Sequence, residues 1–168
     1  MVKRNSISIC ILRLSSIGDV THIIPIISSI RNAYQNSKIT WVIGKTEYEL
    51  VKNLKDIDFI LVDKRSTIHS LVDMRNSFKN RNFDIVFHMQ KSLRSKLIAN
   101  IIKGKINVTF NDIDTQGSHV LDHFFAFLDK VNIKKRILDW QVESIVSKHN
   151  EYLKDNNINK QPTIFCIK

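Results

Sequence analysis

Short apolar runs that alternate with helically spaced segments constrain this chain more than any other feature. Ile9 to Leu12, Lys38 to Ile43, Phe59 to Val62, Asp84 to His88 and Ile106 to Phe110 read as strands. Short apolar runs of this kind suit strands covered on both faces. Between them the period changes to helical. Ile23, Ile26, Ile27, Ile30, Ala33 and Tyr34 share one face of the first helix, which Asn36 and Ser37 end. Thr46 to Asn53 predicts a short helix with Thr46 as its N-cap. Thr67 to Arg81 predicts another, with Ile68, Leu71, Val72, Arg75 and Phe78 on one face. Ser92 to Lys103 predicts a third, with Leu93, Leu97, Ile101 and Ile102 inward and Arg94 and Lys96 outward. After a polar loop at 111–118, His119 to Val131 is amphipathic through Leu121, Phe124, Phe125 and Leu128. Such alternation specifies an α/β fold, a Rossmann-like parallel sheet with helices on both faces.

The passage from the first strand to the first helix concentrates the chemistry. Ser15, Ser16, Ile17 and Gly18 read as a tight turn, and Asp19 opens the helix, with Pro25 near its start. Gly18 suits a backbone that needs positive φ or a close approach. A carboxylate beside free backbone N–H groups at the C-terminal end of a parallel strand stands where open α/β sheets bind ligands. It equally suits a helix N-cap and a plain turn. The stretch lacks the G-x-G-x-x-G and Walker A patterns, so dinucleotide and P-loop fingerprints are absent.

Four collinear segments carry a resemblance. They are RLSSIGDVTHIIP (Arg13 to Pro25), ITWVIGKTE (Ile39 to Glu47), FDIVFHMQKSLRS (Phe83 to Ser95) and HVLDHFFAF (His119 to Phe127). Together they resemble the amino-terminal half of the ADP-heptose:lipopolysaccharide heptosyltransferases, bacterial glycosyltransferases of GT-B fold, in the heptosyltransferase I-like branch. The resemblance implies an inverting transfer of heptose from ADP-heptose to the Kdo-lipid A inner core. In similar enzymes the aspartate of the first motif is the general base, which here is Asp19, and Ile17 and Gly18 match backbone positions that line the donor. Lys64 and Arg65 follow the third strand, where relatives carry a basic loop for acceptor anions; an ordinary solvated turn explains them equally. Gln90 and Arg94 match the family's Q-x-x-x-R-S pattern at the acceptor side. No metal is implied, and no His/Asp cluster has ligand spacing. ADP-heptose enters as a substrate, and no cofactor is expected.

The resemblance also divides the chain. Residues 1–154 read as the amino-terminal acceptor-side domain. Residues 155–168 read as a polar linker (DNNINKQP) and the first strand, Thr163 to Ile167, of a carboxy-terminal donor-binding domain. A weakly amphipathic helix is expected from Ser144 to Asn156. On this reading the chain alone is incomplete and inactive. One departure stands out. Relatives carry arginines after the fifth strand, whereas Phe110 to Ser118 has none and holds Asp112 and Asp114, the wrong charge for a phosphorylated acceptor.

Charge bears on the partners. Lys and Arg number 26 against 16 Asp and Glu, a formal +10. This suits an anionic partner or a lysine-rich composition with no partner at all. The implied partners are a nucleotide-sugar donor, a phosphorylated glycolipid and the inner-membrane surface, with no nucleic acid. The competing readings are a non-enzymatic basic module for nucleic acid or anionic lipid, and a decayed remnant. The phenylalanines fall mostly on apolar faces, which disfavours single-strand stacking. Cys10 and Cys166 lie in apolar runs without metal-ligand spacing and read as free thiols of a reducing compartment. The apolar run after Lys3 and Arg4 is short for a secretion signal, and no stretch is long enough to span a bilayer. A cytoplasmic protein able to touch the membrane surface is expected. His119 and His123 stand four apart, but Val120 occupies the H-E-x-x-H glutamate position, so a helix start and a surface position are expected of them. His22 is expected to shape the site or to pack, Trp41 to be core, and Trp140 to pack the linker against the domain.

Overall fold

The computed structural model describes residues 6–63, 69–115 and 119–141. Five strands form one parallel sheet in the order β3-β2-β1-β4-β5, comprising β1 (Ser8–Leu12), β2 (Lys38–Gly44), β3 (Ile57–Val62), β4 (Asn82–His88) and β5 (Lys103–Thr109). β1 sits at the centre. Its Ile9 pairs with Ile39 of β2 on one side and Ile85 of β4 on the other. The chain runs outward through β2 and β3 and then crosses back to β4. The strand order therefore reverses beside β1, the crevice where open sheets hold ligands.

Among the described residues six helices cover the sheet: α1 (Ile17–Thr21), α2 (Ile23–Ala33), α3 (Lys45–Val51), α4 (His69–Phe78), α5 (Leu93–Ala99) and α6 (Val120–Asp129). The two-residue period of a strand splits the core. Ile9 and Ile11 face α2, α3 and α6, where Trp41, Phe87, Phe124 and Phe127 are fully buried. Cys10 and Leu12 face Met74 and Phe78 of α4 and Ile98 of α5. Burial of Cys10 raises its thiol pKa far above the ordinary value and keeps it inert. Trp41 is core, as expected, and its indole N–H donates to the Arg13 carbonyl at 3.3 Å.

Three local expectations fail. α3 begins at Lys45 with Gly44 as N-cap, not at Thr46. On α4, Met74 and Phe78 face the sheet while Val72 and Arg75 are exposed. On α5 the helical phase is turned round: Ser95 and Ile98 are buried, whereas Leu93 is 80% and Leu97 54% exposed. Ser95 bears burial because its hydroxyl donates to the Ser92 carbonyl at 2.8 Å and lies 2.9 Å from His88 Nε2. Residues 133–141 run back across α2. Ile137 N–H donates to Ser29 Oγ at 2.8 Å, and Ser28 Oγ donates to the Asp139 carbonyl at 3.2 Å. The expected helix at 144–156, the linker, the sixth strand and Cys166 lie outside the described residues, as do Lys64 and Arg65.

Candidate active site at the carboxyl edge of the sheet

The chain leaving β1 is clamped to the chain leaving β4. Met89 N–H donates to the Leu12 carbonyl at 3.1 Å. Gln90 then spends its whole amide on the β1 exit: Oε1 accepts from Leu14 N–H at 2.7 Å, and Nε2 donates to Ser15 Oγ at 3.2 Å. On the other side Gly44 N–H donates to the Leu14 carbonyl at 3.2 Å. The Arg13–Ser16 passage is therefore held from β2 and β4 together.

That passage presents Asp19. The helix begins earlier than its sequence suggests, at Ile17, with Ser16 as N-cap and Asp19 in the third helical position. Asp19 Oδ2 accepts from the Ser16 hydroxyl at 2.9 Å, the Ser16 backbone N–H at 3.3 Å, and Arg13. Oδ1 accepts no hydrogen bond among the described residues, and the side chain is 27% exposed. Burial raises the carboxyl pKa, but the Ser16 hydroxyl and the Arg13 charge outweigh it and hold the group below its ordinary value. Asp19 thus keeps one engaged oxygen and one free oxygen, ionised at neutral pH.

Arg13 is the residue sequence reasoning missed. Its guanidinium joins Asp19 to the Met89 carbonyl and lies over the Phe124 ring, 5.2 Å from the centroid. The side chain is 11% exposed, and its buried Nε has no partner among the described residues. Burial lowers its pKa and the Asp19 charge restores it. The only local signal was an arginine six residues before an aspartate across a turn.

His22 follows in the break between α1 and α2. Its ring stands edge-on to His119 at 6.0 Å and near Phe124 at 6.3 Å. Burial first, then His119, lower its pKa, so it is neutral near pH 7. His119 caps α6 as expected, its Nδ1 accepting from Leu121 N–H at 3.2 Å. His123 is half-buried, and its buried Nε2 has no partner among the described residues.

The remaining predicted residues fall as follows. Ile17 is 56% exposed, and a side chain added at Gly18 would meet nothing within 4 Å. Gly18 lies inside α1 without positive φ, so of its two expected uses only room for a close approach remains. Arg94 is half-buried in the first turn of α5, without an ion-pair partner among the described residues. Lys91 lies over Phe110, 4.8 Å from the ring centroid. Asp112 is exposed and follows the end of β5. It caps the turn at Phe110–Asp112, taking the Thr109 N–H at 2.7 Å and hydroxyl at 2.8 Å, which lower its pKa. No group of three or more His, Cys, Asp or Glu among the described residues could hold a metal.

Comparison with known proteins brings relatives to this geometry. No family model matches the chain. It is 30% identical over 150 residues to the lipopolysaccharide core heptosyltransferase OpsX of Haemophilus influenzae, covering 80% of this chain and 43% of that protein. Among solved structures it resembles the E. coli heptosyltransferase WaaC with ADP, with a TM-score of 0.69 and 16% identity over 84% of this chain and 53% of that one. It also resembles a glycosyl transferase family 9 protein from Veillonella parvula, with a TM-score of 0.69 and 18% identity over 92% and 50%. The chain thus spans about half or less of the length of the relatives it matches.

Proposed function

We propose that the chain, which matches lipopolysaccharide heptosyltransferases over about half or less of their length, belongs to their family and is the acceptor side of an enzyme transferring heptose from ADP-heptose to the Kdo-lipid A inner core. One observation carries the reading: an ionised aspartate with one oxygen tied down and the other free, at the crevice beside the central strand.

In the proposed reaction an acceptor hydroxyl oxygen attacks the anomeric carbon as the bond from that carbon to ADP breaks. The hydroxyl proton passes to Asp19 Oδ1, and the configuration inverts. Ser16 and Arg13, both on Oδ2, leave Oδ1 as the proton acceptor and fix its direction. Ile17 and the open flank of Gly18 receive the donor sugar. Arg94, with Lys64 and Arg65, would meet the acceptor's anionic groups. Gln90 would serve the acceptor through the loop it holds. An E. coli relative solved with ADP-2-deoxy-2-fluoro heptose supports a nucleotide-sugar donor. The acceptor's membrane location makes a protein peripheral to the inner face of the cytoplasmic membrane the fitting form. The relatives give no support to a nucleic-acid module.

The test is ADP release from ADP-heptose with Kdo-lipid A, the chain being supplied with the carboxy-terminal half of a relative. Asp19→Ala should cut turnover by roughly a hundredfold or more while leaving the protein cooperatively folded. Turnover retained in that variant would overturn the base assignment.

A further inference from the structure

The outer face of α4 and α5, which at its α5 start adjoins Arg94, carries two features that neither fold nor transfer uses. The first is a groove of about 500 Å³ between the carboxyl ends of the two helices, lined by Arg75, Asn76, Lys79, Asn100 and Lys103 over Phe78 and Ile101. Several cations elsewhere are paired, such as Lys45 with Asp63 at 2.9 Å, Lys105 with Asp84 at 2.7 Å, and Arg81 with Asp58, while others such as Arg94 and Lys96 are not among the described residues. Arg75, Lys79 and Lys103 have no ion-pair partner among the described residues. Two helix ends explain part of this arrangement, since each carries roughly half a negative charge. Together they offset about one of three positive charges and leave the groove cationic.

The second feature is apolar. Val72, Arg75, Asn76 and Lys79 fall at one-turn spacing along the exposed stripe of α4, and Val72 is 58% exposed. Beside it α5 turns Leu93 and Leu97 outward, at 80% and 54% exposure, because Ser95 takes the inward phase. Protruding leucines beside a cationic groove are what a surface lying on an anionic bilayer needs, apolar area for the headgroup–acyl boundary and fixed charge for the phosphates.

We propose that the α4–α5 face is a membrane-docking surface whose groove holds the phosphate headgroup of an anionic phospholipid while Val72, Leu93 and Leu97 enter the interface. This deepens the membrane part of the reading above. It requires no turnover, so a failed transfer assay leaves it intact, and its own failure leaves the transfer reading intact.

The test is co-sedimentation of the 168-residue chain with phosphatidylglycerol–phosphatidylethanolamine vesicles, with phosphatidylcholine vesicles as the neutral arm. The chain should bind the anionic vesicles only. Arg75→Glu with Lys79→Glu should weaken partitioning on the order of thirtyfold. Lys38→Glu with Lys135→Glu makes the same change in net charge on exposed residues elsewhere and should weaken it far less. Leu93→Ser with Leu97→Ser should weaken it about tenfold with an unchanged melting curve, because both side chains already face solvent. Absence of binding to anionic vesicles overturns the proposal. So does equal weakening by the two charge pairs, which would reduce the effect to net charge. Competition by millimolar glycerol 3-phosphate together with indifference to the leucine changes would assign the groove to soluble phosphate esters and overturn the lipid assignment.

Discussion

Removing Arg13 tests how the site is held together. In Arg13→Met the Asp19 carboxylate keeps both Ser16 bonds but loses its counter-ion, and the Met89 carbonyl loses a charged donor. The aliphatic stem still covers Phe124, so the packing loss is small. Breaking a buried ion pair costs about 3–5 kcal/mol. Here Arg13 is 11% and Asp19 27% exposed, and partial solvation reduces the figure to about 2–3 kcal/mol. For a chain of this size that is a fall in melting temperature of about 5–10 °C. A double-mutant cycle with Asp19→Asn at pH 7 isolates the pair and should give a coupling of about 1.5–3 kcal/mol. Acid sharpens the test. The folded-state pKa of Asp19 is lowered, so the stability it contributes is fully present above the unfolded value of about 3.9. It is lost as pH falls below that value through the folded one. The wild-type chain should therefore lose more stability in this window than Arg13→Met. A coupling under about 0.5 kcal/mol, or identical acid profiles, would show that the pair is a solvated contact and that Arg13 does not hold Asp19.

The other perturbations are local. Gln90→Ala frees Leu14 N–H and Ser15 Oγ; it should cost about 1–2 kcal/mol and speed hydrogen exchange at the Leu14 amide, and unchanged exchange would refute the clamp. Gly104→Ala drives a Cβ into Val86 Cγ2 and Asn107 Oδ1 and should cost about 1–3 kcal/mol in urea unfolding. Gly18→Ala meets no neighbour and should leave stability unchanged or raise it by about 0.5–1 kcal/mol. In the reconstituted transfer assay it should raise the KM for ADP-heptose, and an unchanged KM would argue against the donor role of that flank.

The order of elements was legible in the sequence because it is a local property. A strand buried on both faces must be apolar along its run, as Ile9 to Leu12 are, and α2 and α6 are long enough for the helical period to show which face is buried. Asp19 was legible for a similar reason: a turn residue followed by a carboxylate at a strand end is a local pattern, and the wider signature around it pointed to a family. The short elements were not. α5 has seven residues, under two turns, so a leucine pair and a serine can exchange faces, and tertiary hydrogen bonding decided for Ser95. The N-cap is Ser16 and not Asp19 because Asp19, in the third helical position, closes a capping box with Ser16. Arg13 reaching Met89 and Gln90 reaching Leu14 are choices among partners that a linear pattern does not rank. The sequence by itself determined the sheet, the long helices and the carboxylate at the sheet's edge. Only the tertiary structure decided which oxygen of that carboxylate is free, which arginine holds the other, and which leucines stay in water. Each of those outcomes depends on which groups long-range packing brings within hydrogen-bond reach.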